Sequence, residues 1–224
     1  MINKIAFSLI WLSFISYAFL LAPPNDPNTS QLIERLIDFE LEGINPLIVA
    51  IFNLMGVLPL MYAPLLLIDG KGQKLPAWIF MVLSFGVGAF AILPYLAFRK
   101  PELSNWKKDW SLKILDFRLI NISLVILFLV IFISGILEGD WNDFVMQWQS
   151  RRFIHVMSLD FCLLILLFPA LLVDDLTRRK IDDSSFFKTI IWIPLIGTFL
   201  YLCLRPSLPE REASMIEESG STTI

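Results

Sequence analysis

PLIVAIFNLMGVLPLMYAPLLLIDGKGQKLPAWIFMVLSFGVGAFAILPYLAFRKP, residues Pro46 to Pro101, decides how the rest of the chain is read. Two apolar stretches, Pro46–Ile68 and Ala77–Phe98, flank the short polar turn from Asp69 to Lys74. At about 1.5 Å per residue each is long enough to cross roughly 30 Å of hydrocarbon. A link this short predicts an antiparallel hairpin. Pro59 and Pro64 remove backbone donors and are expected to bend the first stretch. In the second, Ser84 and Gly88 form a small-xxx-small pair beside Gly86, which predicts close approach by another helix.

The composition extends that reading to the whole chain. Of 224 residues 56% are hydrophobic, and the mean hydropathy is +0.69. That apolar share exceeds what a core of this size can hide from water, so lipid must solvate part of it. The expected fold is all-α: a polytopic transmembrane bundle of about six spans with short amphipathic interfacial helices. Residues 1–205 form one membrane domain, and 206–224 an acidic tail expected to be disordered. The net charge of −3 and the dispersed basic residues give no reason to expect nucleic acid. Cys162 and Cys203 both lie in apolar runs and read as inert thiols.

The other spans are Ile5–Ala22, Leu119–Leu137, Phe153–Val173 and Phe186–Leu204. The first follows Lys4 and precedes Ala-Pro-Pro, as a signal peptide would. Its length, Trp11 and Tyr17 favour a retained helix. Leu32, Ile33, Leu36, Ile37 and Leu41 recur at helical spacing after Asn28 and Gln31, which resemble a capping box. That helix is acidic on its polar side, suited to capping other helices or facing a partner. Trp106, Trp110, Ile114 and Phe117 with surrounding lysines predict a surface-lying helix. Asp140–Arg152 predicts another, with acids at its start and Arg151 and Arg152 at its end. With six spans, the basic residues lean toward an N-terminus outside.

A degenerate repeat is suggested by two comparisons. Proline and aspartate are five apart in Pro64/Asp69 and in Pro169/Asp174, and tyrosine and arginine are four apart in Tyr95/Arg99 and Tyr201/Arg205. The units would be 1–101 and 119–206. Three spans in each would set the copies inverted across the bilayer. Ordinary punctuation of helix ends is the competing explanation.

Candidate chemistry is sparse. Asn53 is a polar group inside a span, able to bind an ion or a headgroup or to bond between helices; Tyr62, in the same span, is a further candidate that would converge with Asn53 and Asp160 if a midplane cavity exists. Asp160 is costly in lipid unless it faces the bundle, so it is a functional candidate, although a contact with Arg152 or a tyrosine would also satisfy it. His155 can serve as a tetrapyrrole ligand, a proton relay or a hydrogen-bonding residue. No nucleophile elbow, P-loop, dinucleotide fingerprint or zinc spacing is present, so neither enzyme activity, metal nor cofactor is expected.

The glycine-rich text NLMGVLPLMYAPLLL, KLPAW and SFGVGAFAILPYLAFRKP resembles a family of uncharacterised integral-membrane proteins of cyanobacteria and plant plastids. The resemblance covers about a quarter of the chain. It implies a thylakoid or plasma membrane and carries no catalytic residues. Two functions are therefore expected: a non-enzymatic assembly or stabilising factor for other, photosynthetic membrane complexes, or a small transporter or channel. The expected partners are the lipid bilayer and other membrane proteins.

Overall fold

The computed structural model describes residues 2–100, 114, 116–181 and 183–209, with side chains from residue 4 onward. Within them the chain is helical, with no strand. The interfacial helix expected around Trp106 and Trp110, and residues 210–224 of the expected tail, lie outside the described residues.

Helix α1 (Ile2–Ser16) continues through a π-helical turn, Tyr17–Leu21. Helix α2 (Thr29–Ile37) is short and amphipathic. Asn28 precedes it without a side-chain cap, so the expected capping box does not form. Helix α3 (Pro46–Asp69) is continuous through both internal prolines. Asn45 caps its start, accepting from the Leu47 N–H at 3.0 Å. The same side chain donates to Asp143 Oδ2 at 2.7 Å, fixing α3 to α7 (Trp141–Ser150). Helix α6 (Arg118–Glu138) runs antiparallel to α3. At Gly135 a Cβ would lie only 2.3 Å from the Ala50 Cβ, so glycine lets the two backbones close.

Among the described residues four segments are long and apolar enough to cross a membrane: Lys4–Leu21, Pro46–Asp69, Arg118–Glu138 and Arg152–Arg178. The last combines α8 (Arg152–Leu167) and α9 (Pro169–Arg178), which meet at Phe168. The two other expected spans are broken. Ala77–Phe98 divides into α4 (Ala77–Val87) and α5 (Ala89–Phe98). Phe186–Leu204 divides into α10 (Ser185–Ile190) and α11 (Ile196–Leu204).

Each broken pair leaves and returns to the same end of the bundle. Ala77 lies against Gly70, just beyond Asp69, and Arg99, after α5, binds Asp69 itself at 2.8 Å. The chain turns back at Gly88, whose φ of +51° and ψ of −126° belong to glycine. Gly88 is therefore a reversal point, where a straight span with a small-residue packing face was expected. In the second pair Leu195 has φ +65°, and a Cβ on Gly197 would meet the Ile190 carbonyl oxygen at 1.7 Å.

Apolar packing joins these elements. Tyr62 stacks on Phe168 with centroids 3.9 Å apart, and Phe128 meets Phe199 edge-on at 5.0 Å. Helix α1 lies against α5, with Phe14 stacked on Phe90 at 4.3 Å and Trp11 Nε1 donating to the Phe90 carbonyl at 3.1 Å. Wide outer faces of α1, α4 and α6 stay exposed, including Leu9, Leu83 and Val130. Such faces suit a lipid solvent.

Candidate functional site

Two polar centres lie inside this apolar framework, one at the end where both broken pairs return and one near the first reversal point.

At the first, the ionic end, Asp69 is fully buried. Its Oδ2 accepts from Tyr95 Oη at 2.6 Å. Its Oδ1 accepts from Arg99 Nη1 at 2.8 Å and Arg178 Nη2 at 2.7 Å. Asp175 repeats the arrangement: its Oδ2 accepts from Tyr201 Oη at 2.7 Å, Arg205 Nη1 at 2.9 Å and Arg179 Nε at 2.8 Å. In both sets the tyrosine follows the aspartate by 26 residues and the arginine follows it by 30. Asp175 is thus the counterpart of Asp69, where the proline–aspartate spacing in the sequence points to Asp174. Asp174 instead binds Arg99 of the first set at 2.7 Å.

Arg178, the last residue of α9, and Arg179, just after it, clip the two sets together. Arg179 also reaches Asp116 at 2.6 Å, and its Nη1 donates to the Pro206 carbonyl. Leu208 is buried, with its N–H on Asp116 Oδ2 at 2.8 Å. Pro206–Pro209 thus belongs to the folded body, a correction to the tail expected from 206. Because both sets meet at one end, the two hairpins face the same way, where three spans per unit would have inverted them. Each set matches carboxylates with guanidiniums and surrounds them with donors, the condition for keeping charge away from water. Its charges are paired, although Asp175 Oδ1 and Arg178 Nε are buried without a hydrogen-bond partner, and the centre reads as a clamp.

The second centre is Asp160 on α8, buried to 4% exposure. Its Oδ1 accepts the Ala89 N–H at 2.7 Å, the first amide of α5. The carboxylate therefore caps a helix that begins inside the bundle, where the N-terminal amides have no other partner. A Cβ on Gly88 would sit 1.9 Å from Asp160 Oδ2. Among the described residues no ion pair reaches Asp160. Arg152 does not satisfy it: its Nε donates to the Pro23 carbonyl at 2.9 Å.

Asp160 lines a cavity of about 430 Å³ bounded by the start of α8, the α4–α5 reversal, the middle of α3 and the turn after α1. Arg152, Asn25 and Thr29 stand at its outer rim, and Phe19, Phe52, Phe85, Phe90 and Phe153 form much of the wall. Two turns of helix separate Arg152 from Asp160, about 12 Å along α8. Gly56 and Gly86 also line it, and space in front of both is open.

The remaining sequence candidates do not join this site. Asn53 Nδ2 donates to Val49 O of its own helix at 3.0 Å. Tyr62 Oη donates to the Leu164 carbonyl, tying α3 to α8 beside the break at Phe168. Pro59 and Pro64 are buried in α3. Ser84 is buried, with Oγ on Met81 O at 2.6 Å, and its carbonyl accepts the Gly88 N–H. His155 has both ring nitrogens engaged, Nε2 with Tyr17 Oη at 2.7 Å and Nδ1 with Trp148 O at 2.9 Å. Trp148 also stacks on its ring at 4.2 Å. That occupancy opposes the tetrapyrrole-ligand option. The sequence marks Asp69 only as punctuation at a helix end and gives Asp175 no role, because a carboxylate at a helix end looks solvated. Their signal was the shared 26- and 30-residue separation.

The chain matches no family model, no curated protein and no solved structure.

Proposed function

We propose that this is a non-enzymatic integral membrane protein that admits a small solute to the Asp160 cavity, a transporter or channel in kind. The observation that carries the reading is Asp160 itself. A carboxylate held mid-bundle at the start of a broken helix, on a cavity wall, resembles the way broken helices build solute sites in membranes. In this reading α4–α5 and α10–α11 are re-entrant hairpins, and the matching Asp-Tyr-Arg sets belong to a parallel internal repeat. The ionic clamp closes one side, and the cavity opens toward the other.

Charge supports an orientation. Lys4, Lys71, Lys74, Lys100, Lys180 and Lys188 accompany the buried arginines at the ionic end, while Arg35, Arg151 and Arg152 lie at the opposite end. By the positive-inside rule the ionic end faces the cytoplasm or stroma, and the N-terminus with it. The outside placement expected from six spans changes because the broken hairpins do not cross. A cysteine at Lys71, in a chain lacking Cys162 and Cys203, should resist an impermeant maleimide applied to intact cells. Labelling from outside would reverse the orientation. The hairpin's resemblance supports a photosynthetic membrane as the location.

An assembly factor remains the second reading, favoured by the open space before Gly56 and Gly86, where a partner helix can approach closely. One experiment separates the two. Gentle-detergent purification is followed by thermal unfolding against a panel of small cationic, neutral and anionic solutes. Binding at about 100 times Kd stabilises by about 2.7 kcal/mol. A solute that stabilises the wild type and not Asp160→Asn supports the proposal. A stoichiometric partner protein, with no solute effect, would transfer the argument to assembly.

A further inference from the structure

The solute's chemistry can be read from the cavity wall, and this inference rests on the solute-binding reading above. Asp160 is the acidic group on that wall, and it receives one backbone N–H. An ionised carboxylate removed from water needs a counter-charge or several donors, and a single amide falls short of that. The described protein forms no ion pair with it, and Arg152, which also lines the cavity, stands about 12 Å away along α8 with its Nε on the Pro23 carbonyl. The missing charge must come from a bound proton or from an occupant.

The rest of the wall selects the occupant. Phe52, Phe90 and Phe153, partly buried, line the space, and Phe19 and Phe85, both exposed, line its open side. Aromatic faces carry negative quadrupole and attract cations, more strongly when water is excluded. They also accept apolar bulk, so a small, strongly hydrated ion gains little there. A volume of about 430 Å³ falls in the range of sites for drug-sized molecules. Asn25 and Thr29 at the rim add neutral polar groups where the cavity meets the surface.

We propose that this cavity binds a hydrophobic organic monocation, a protonated amine or quaternary onium group, with its charge beside Asp160 and its body among the phenylalanines. The phenylalanines and the carboxylate act together. An anion would meet Asp160 at the floor, and a neutral molecule would leave that charge uncompensated.

The test uses two ions of nearly equal shape and opposite charge, tetraphenylphosphonium and tetraphenylborate, in equilibrium dialysis with the full chain in non-ionic detergent. Tetraphenylphosphonium is expected to bind the wild type at least tenfold more tightly than tetraphenylborate. Asp160→Asn should weaken phosphonium binding by tenfold or more. Phe85→Ala should weaken it several-fold; Phe85 is exposed on one side, so this variant keeps the test valid if Asp160→Asn fails to fold. Equal binding of both ions, indifference to both substitutions, or no phosphonium binding would overturn the proposal. The outcomes also separate it from the parent reading. Asp160-dependent binding of a neutral or anionic solute would refute the cation assignment alone. Absence of binding by every solute class would remove both.

Discussion

Asp175→Asn is expected to destabilise the bundle by about 3–5 kcal/mol, the cost of stripping the counterion from a buried pair. Arg179 and Arg205 both donate to the Asp175 Oδ2 that this change neutralises, and Tyr201 donates there too. Arg179 keeps Asp116 as a partner. Arg205 keeps a 3.8 Å approach to Asp116 and a 3.5 Å contact with Asn121 Oδ1. The loss should appear as a lowered thermal midpoint in detergent, followed by size-exclusion chromatography. Asp174→Asn is the internal control. The Asp174 side chain is 21% exposed, so water replaces part of what Arg99 loses and the effect should be well under half as large. Adding Arg205→Met to Asp175→Asn should recover part of the deficit, because it removes one stranded charge. Equal effects at 174 and 175, or a loss below about 1 kcal/mol at 175, would refute the clamp.

The other large effect lies at the reversal of the first hairpin. Gly88→Ala places a Cβ where φ is +51°, 1.9 Å from Asp160 Oδ2 and 2.7 Å from Met55 Cε. Backbone strain and steric overlap each cost about 1–3 kcal/mol, and here they add. The hairpin tip should withdraw, breaking the Asp160–Ala89 bond and opening the cavity. Gly86→Ala, two residues away, meets nothing within 4 Å and should leave stability unchanged. The comparison is read by thermal unfolding together with maleimide labelling of a cysteine placed at Val87. If Ala at 88 and Ala at 86 behave alike, the sharp turn described for Gly88 is wrong.

These two sites mark where sequence reasoning held and where it stopped. The hydrophobic runs predict apolar helices, and helices form over each. Asp140 was expected to begin a helix, and it caps α7 by accepting the Asn142 and Asp143 amides. Asp160 stood out because a carboxylate in an apolar run must be compensated by something. Its partner did not, since the Ala89 amide becomes a free donor only when the chain breaks at Gly88. Hydropathy cannot distinguish a 22-residue span from two short helices folded back on each other, because both need the same apolar residues.

Composition and periodicity alone determined that this chain is helical, apolar beyond the needs of its own core, and equipped with amphipathic connecting helices. They also held the matching tyrosine and arginine spacings. Tertiary structure decided that four segments among the described residues have spanning length while two expected spans are broken, and that Asp175 answers Asp69. It also decided that Asp160 caps a helix start on the wall of a cavity. The physical reason is range. Burial and helix formation are local properties written in neighbouring residues. Charge compensation joins groups 26, 30 and 109 residues apart, and only the folded chain brings them together.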